Sequence, residues 1–414
     1  MTSATTDPLP PGTIRFFGDG RAYWRLLTRG AVLQMLTLGI YRFWLTTDVR
    51  RFLWSNTEVN GDGLEYNGTP QELLIGFLTA IALLVPLYTA FFFAALDLGI
   101  IGQTSGVAGF ALLFVLGQYA IFRARRYRLT RTIFRGLRFH QGGSAPGYAL
   151  RATLLWTLTL LTLGLAYPFQ VAILERYKLR HTFYGDLGGR FDGAGWRLFL
   201  RGLPMWLLVV APLAITVGAA TETIDWDALA EALASEDVRA NLEDGNPGLV
   251  DVLVFGLMML TAAAATAALL YPAFQAMILR WWSSGLRFGP IVFRSQLRTV
   301  AVYWAYLRFL GYALLFAFAM AALVLIALAA IGTLATDDQT GEIVTTVFLL
   351  GCYVTAALGL STIYRATVRL ALWRLGMESL QLSGLSALDR VSAAGQPSSA
   401  LGEGLADALN VGSM

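Results

Sequence analysis

Along the chain, charge-free apolar runs alternate with short arginine-rich stretches. Six runs are long enough to cross about 30 Å of hydrocarbon as helices: 73–96, 98–122, 202–221, 252–279, 309–336 and 343–364. Two other apolar runs differ in kind. The run 30–41 lies between Arg29 and Arg42 and is about 18 Å long as a helix, short for a full span. The run 152–174 is long enough, but Pro168 interrupts it and arginines cluster on both sides. Pro86 and Pro212 fall inside long runs, where they predict kinks that a bundle tolerates.

Charge chooses the topology. The connection 222–244 carries Glu222, Asp225, Asp227, Glu231, Glu236, Asp237, Glu243 and Asp244 against the lone base Arg239. After the fifth long run come Asp337, Asp338 and Glu342, with no base. Every other connection is rich in arginine, and basic loops stay in the cytoplasm. Six spans keep each arginine cluster inside, whereas eight would place 176–201, 280–298 and 365–374 outside. The expected fold is therefore an all-α polytopic membrane protein. It has six full transmembrane helices plus two half-depth or interfacial segments (eight spans if both cross), with both termini cytoplasmic. Within the acidic connection, Trp226, Leu229, Ala230, Leu233 and Leu242 recur near helical spacing and predict a short amphipathic helix on the outer side.

The arginine arms repeat. Each follows a tyrosine that closes an apolar run: Tyr41, Tyr119, Tyr167, Tyr271 and Tyr364. An arginine stands nine residues on in four of them, at Arg50, Arg128, Arg176 and Arg280, and ten on in the fifth, at Arg374. Each arm then reaches a Gly-Leu-x-aromatic piece or a variant of it, such as Gly136-Leu137-Arg138-Phe139 or Gly285-Leu286-Arg287-Phe288. The two shorter runs match as well, Leu36-Thr37-Leu38-Gly39-Ile40-Tyr41 against Leu161-Thr162-Leu163-Gly164-Leu165-Ala166-Tyr167. These matches predict an internal duplication. Its parts are a disordered lead 1–14, a first membrane repeat 15–147 and a second repeat 148–298 with an acidic external loop 222–249. A third helix pair with the last arm, 299–382, and a flexible tail, 383–414, complete it. Each arm is expected to continue a membrane helix into the cytoplasm and end in a short extended hairpin-like piece.

Composition closes off whole classes of function. The chain is 56% hydrophobic and 14% charged, with a mean hydropathy of +0.58, against about a quarter charged in a soluble domain. A soluble enzyme, a disordered scaffold and a secreted disulfide protein are excluded. Cys352 is the single cysteine, so no internal disulfide forms, and His140 and His181 are too few for a three-histidine zinc site. Lys178 is the sole lysine and no phosphate loop precedes it. Nucleophile-elbow and zincin motifs are absent, so no catalysis and no cofactor are expected. Glu58 reads as an ion-pair partner of Arg50 or Arg51 rather than as an acid–base group. The long runs hold no ionisable residue; Gln34 and Gln118 are the conspicuous polar side chains at apolar depth. Arg50, Arg51, Arg128, Arg176 and Arg280 fix orientation in the plainer reading. In the sharper one they form a collar that binds anionic lipid or solute.

Gly39-Ile40-Tyr41 and the run Arg50-Arg51-Phe52-Leu53-Trp54-Ser55-Asn56-Thr57-Glu58-Val59-Asn60-Gly61 resemble the YjgN-like family of bacterial inner-membrane proteins, a domain of unknown function. Phe17-Gly18-Asp19-Gly20, Tyr66-Asn67-Gly68-Thr69-Pro70 and the run 402–409 resemble it too, so the likeness covers nearly the whole chain. Tyr41, Asn56, Thr57 and Glu58 carry the motif, and Ser55 stands where the family usually has glycine. The resemblance implies a multi-pass inner-membrane protein and no particular activity. Duplication and broken half-segments point to a transport-type protein for a lipid-like or anionic small molecule. The alternative is a non-transporting scaffold that binds anionic lipid or a partner protein through its arginine arms. Membrane lipids are the expected partners, and nucleic acid is not.

Overall fold

The computed structural model describes residues 12–96, 100–235, 245–334, 338–395 and 399–411. The chain forms two compact units, Met1–Ala194 with Leu279–Met414, and Gly195–Ile278.

The first unit overturns the all-α expectation. Ten short strands close into an antiparallel barrel in the order β1-β10-β9-β8-β7-β6-β5-β4-β3-β2. Four hairpins each join a three-residue strand to a five-residue strand. They are β2 Thr57–Val59 with β3 Asp62–Tyr66, and β4 Thr132–Phe134 with β5 Leu137–Gln141. The other two are β6 Thr182–Tyr184 with β7 Leu187–Phe191, and β8 Leu286–Phe288 with β9 Ile291–Ser295. The fifth pair comes from opposite ends of the chain, β10 Leu380–Ser383 against β1 Gly12–Phe16. Residues 12–14, expected in a disordered lead, therefore begin the barrel.

Local chemistry explains the hairpins. Asn60-Gly61 and Arg135-Gly136 both adopt positive φ at each central position (54° and 93°, 46° and 74°), the two-residue turn whose twist matches its strands. Alternation then sorts the side chains, with Ile14 and Phe16 buried and Thr13 and Arg15 exposed. Ile14, Ile291, Leu380 and Leu382 form a buried cluster, against which Phe288, Phe293, Leu385 and Leu388 pack. The rings of Phe139 on β5 and Phe288 on β8 meet at 6.3 Å with two strands between them. That contact crosses the interior, so the barrel is filled with side chains. Closure also leaves no strand edge exposed.

In chain order the repeat is a strand–helix–helix–strand unit that occurs five times, a finer period than the predicted duplication. The helices are α1 Gly20–Leu36 and α2 Arg42–Ser55, α3 Pro70–Ala95 and α4 Ile100–Thr130, and α5 Ala145–Leu161 and α6 Tyr167–Arg180. Next come α7 Gly195–Thr223, α8 Trp226–Ala234 and α9 Leu249–Gly285. The last unit has α10 Thr299–Leu334 and α11 Asp338–Tyr364, continued through a π turn, Arg365–Arg369, into α12 Leu370–Glu378. Among the described residues, six helical stretches are long and apolar enough to cross a membrane: Pro70–Ala95, Thr104–Thr130, Gly195–Thr223, Leu249–Gly285, Thr299–Thr333 and Gly341–Glu378. They coincide with the six long runs. Phe318 and Ile326, each at least 70% exposed, are typical of their lipid-facing surface.

The two shorter runs lie in helical hairpins, α1–α2 and α5–α6, which turn on the same motif. Leu38-Gly39 and Leu163-Gly164 share positive φ (48° and 90°, 50° and 91°). Thr37 Oγ1 donates to the Leu33 carbonyl at 2.7 Å and accepts the Tyr41 N–H at 3.0 Å. Thr162 repeats this with Leu158 and Ala166 at 2.8 and 3.1 Å. Both tips are apolar and bare, Leu38 being 95% and Leu163 72% exposed.

In the second unit, the predicted amphipathic helix is present as α8, capped by Asp225 Oδ1, which accepts from the N–H groups of Asp227 and Ala228. Leu242 lies outside the described residues.

The stretch expected to be a flexible tail is also structured in its described part. A 3₁₀ turn, Leu385–Arg390, packs Leu385 and Leu388 on the barrel core. Asp389 pairs with Arg135 at 3.1 Å, and Asp186 exchanges hydrogen bonds with Ser392. Helix α13, Leu401–Ala408, then packs against α3 and α4, burying Leu405 and Ala406 with Ala80, Ala120 and Ala124. A Cβ on Gly404 would lie 1.9 Å from the Gly76 carbonyl carbon, so only glycine permits this approach.

A buried charge cluster at the barrel mouth

Five arginines occupy equivalent places, each six residues before a strand: Arg51, Arg126, Arg176, Arg280 and Arg374. Four of them donate to the carbonyl two residues beyond a long strand. Arg51 reaches Gly68 at 3.0 Å, Arg126 reaches Gly143 at 2.5 Å, Arg176 reaches Gly193 at 3.1 Å and Arg374 reaches Gly18 at 2.6 Å. Arg280 donates instead to Thr299 Oγ1 at 3.1 Å. Each arginine thus clips the helix entering the barrel to the segment leaving it. Tyrosine-to-arginine spacing had aligned Arg50 and Arg128 with Arg176 and Arg280. The strand start, not the interfacial tyrosine, sets the true register, and it assigns Arg51 and Arg126 to that position.

Arg50 and Arg128 belong to a different group. Arg50 Nη1 donates to the Tyr66 hydroxyl at 3.0 Å, and its Nη2 pairs with Glu403 on α13. Arg128 lies within Coulombic reach of Glu403, Arg50 and Arg125. Arg125 is 3.9 Å from Glu175, which also pairs with Lys178 and accepts from Trp282 Nε1 at 3.0 Å. Arg50, Arg125 and Glu175 each stand seven residues before a strand, and Arg128 and Lys178 stand four before. Residues three apart share a helix face, so α2, α4 and α6 present two successive rungs of charge.

Four cations here face two carboxylates. The side chains of Arg50, Glu403 and Glu175 are each only 10% exposed, so water screens them little. Burial opposes the charge on Arg50, but the Glu403 carboxylate and Tyr66 more than offset it and raise its pKa. Burial would raise the Glu175 carboxyl, but Lys178 and then Arg125 hold it below the usual carboxylate range. Burial lowers the Lys178 ammonium more than Glu175 restores it, and Arg125 adds to the lowering. Glu403 Oε2, Arg125 Nε and both amide atoms of the buried Gln141 have no hydrogen-bond partner. Unsatisfied buried atoms of this kind mark a place where a polar ligand would find donors and acceptors.

The motif residues turn out to build a junction. Tyr41 begins α2 and stacks on Trp44 at 6.3 Å. Asn56 donates to the Phe52 carbonyl at 2.7 Å and accepts the Phe17 N–H at 2.9 Å. The Thr57 hydroxyl donates to Leu53 at 2.7 Å and accepts from Trp373 Nε1 at 3.1 Å. Glu58 lies on the outer barrel face opposite Arg15, so it is not the partner of Arg50 that the sequence suggested. His140 stacks on Phe183, and His181 Nδ1 bonds the Tyr177 carbonyl at 2.7 Å.

The structure brings two of the sequence candidates, Arg50 and Arg128, together with Arg125, Glu175, Lys178 and Glu403, which the sequence reading did not place among them. Two signals pointed to them. Lys178 is the only lysine among 31 basic residues, and Glu403 sits between two glycines in the tail motif 402–409.

A family model described as "Bacterial protein of unknown function (DUF898)" matches residues 11–408. The chain is 27% identical over 145 residues to inner membrane protein YjgN of Escherichia coli strain K12, covering 34% of this chain and 33% of that protein. It is 28% identical over 144 residues to inner membrane protein YjgN of Escherichia coli O157:H7, with the same shares. The alignments thus span a third of these relatives' length. No solved structure matches.

Proposed function

The chain belongs to the DUF898 family and is a multi-pass membrane protein, and from that premise we propose that it is an inner-membrane carrier for an anionic, lipid-like molecule. The observation that carries the reading is the convergence of Arg50, Arg125, Arg128 and Lys178 on one buried cluster with the carboxylates Glu175 and Glu403. A phosphate headgroup brings both negative charge and several acceptor oxygens, which suit the guanidinium fork. The half-depth hairpin α1–α2 supports an apolar route beside this site. Its helices pack against α11 and α3. Helix α3 is nine residues longer than α1, about 13 Å of helix, so an acyl chain has room over the hairpin tip along α3. The positive-inside bias supports a cytoplasmic side for the barrel and both termini. The reading involves no covalent chemistry and no cofactor.

Transfer of fluorescent phosphatidylglycerol between leaflets of reconstituted vesicles tests it. The carrier reading expects transfer faster than in protein-free vesicles, and its loss when Arg125→Gln and Arg128→Gln are combined. Transfer no faster than in empty vesicles contradicts it. One observation favours a scaffold instead. Arg138, Arg190 and Arg294 are exposed on the outer barrel face, where they suit an acidic partner. That reading expects partner binding to depend on these three and not on Arg125 or Arg128.

A further inference from the structure

We infer that helix α13 is a displaceable occupant of the buried site, a piece of the chain that stands where the anionic ligand binds. The inference rests on the carrier reading for the chemistry of the ligand, a phosphate group attached to an apolar body.

The tail has the parts of such a molecule. Glu403 supplies the anionic head, in contact with Arg50 and within reach of Arg128. Leu405, Ala406 and Leu409 supply the apolar body, lying in a slot whose walls include Ala80, Ala120 and Ala124. Alanines line the close contact, Leu84 and Tyr119 flank it, and Gly76 brings the α3 backbone itself into it. Withdrawal of the helix therefore uncovers an apolar slot along α3 and α4 that ends at two arginines. An acyl chain under a phosphate has that shape.

The tail also fills the site imperfectly, as a competitor must. Glu403 bonds Arg50 through Oε1, while its Oε2 is buried without a partner. A buried carboxylate with one oxygen unsatisfied forfeits part of the gain from its ion pair. A phosphate carries more acceptors and at least as much charge. The second ion pair of the helix, Asp407 with Arg42 at 2.8 Å, has side chains 40% and 36% exposed and holds it weakly.

Binding of phosphatidylglycerol, with phosphatidylcholine of the same chains as control, tests this by native mass spectrometry. The proteins are the full chain, Glu403→Gln, and a chain ending at Gly395. Both variants should bind phosphatidylglycerol at least tenfold more tightly than the full chain, and adding Arg128→Gln should cancel the gain. Glu403→Gln removes the charge from a chain of full length, so it answers the question if the shortened chain does not fold. Displacement of the bound lipid by inorganic phosphate assigns the site to the phosphate alone, and resistance to it assigns the site to a lipid headgroup with its chains. Equal phosphatidylglycerol affinity in all three proteins overturns the competition but leaves the carrier reading intact. No preference for phosphatidylglycerol over phosphatidylcholine in any of them overturns both.

Discussion

Arg50 and Glu403 form a buried ion pair across 353 residues of sequence, joining the first helical hairpin to the C-terminal helix. Removing one partner of such a pair leaves an uncompensated buried charge and costs about 3–5 kcal/mol. Glu403→Ala should therefore lower the thermal midpoint in detergent markedly. Replacing both residues by apolar side chains of similar volume should cost much less. Equal losses in the single and double variants would show that the pair is not buried as described.

The hydrogen bonds of the clip arginines predict an effect on stability rather than on ligand. Losing one charged donor to a carbonyl costs about 1.5–3 kcal/mol, so Arg51→Gln, Arg176→Gln and Arg374→Gln should each lower the unfolding midpoint. Lipid selectivity should stay as it is. A variant that kept full stability and lost lipid preference would reassign these residues to the binding site.

Barrel closure makes a geometric prediction. Thr13 and Gln381 are register partners on β1 and β10. In a Cys352→Ser background, Thr13→Cys with Gln381→Cys should crosslink within one chain under mild oxidation. Thr13→Cys with a cysteine at Arg190, on β7, should not. Failure of the first pair with success of the second would remove the seam between the chain ends.

Glu175 and Lys178 give opposite pH dependences. The Glu175 carboxyl is held below its ordinary value by Lys178 and Arg125, against burial. Its stabilising contribution is therefore complete above the usual carboxylate range and is lost as pH falls through the folded value. Lys178 is lowered by burial, so its charge opposes folding at neutral pH, and stability rises as pH climbs through its folded value. In melts across pH, Glu175→Gln should flatten the acid limb. Lys178→Met should flatten the alkaline rise. Unchanged profiles in both variants would mean that neither group titrates in the buried cluster.

The helices were legible because a run such as 309–336 is apolar throughout and needs no tertiary information. The two helical hairpins were legible from the shared Leu-Thr-Leu-Gly turn. The barrel was not. Its strands are three to five residues long and set among arginines, and β1 and β10 find each other only when the chain ends meet. The extended pieces after each arm were visible, but nothing local says that five of them close a ring. The register of the arms was misread for a related reason. Tyrosines mark where a helix leaves hydrocarbon, and that level varies from helix to helix, whereas the strand start fixes which arginine clips which glycine. Glu403 was invisible as a partner because its tail is rich in alanine, glycine and serine, a composition that reads as loop until α3 and α4 supply the slot.

The central claim is that the cation cluster of Arg125, Arg128, Arg50 and Lys178 receives an anionic headgroup. Its most direct test is lipid selectivity of the purified protein, phosphatidylglycerol against phosphatidylcholine of matched chains, before and after Arg125→Gln with Arg128→Gln. The account predicts a clear preference for phosphatidylglycerol that falls at least tenfold in the double variant, while the five clip arginines remain in place and the protein stays folded. A preference that survives the double variant, or is absent from the start, would contradict it.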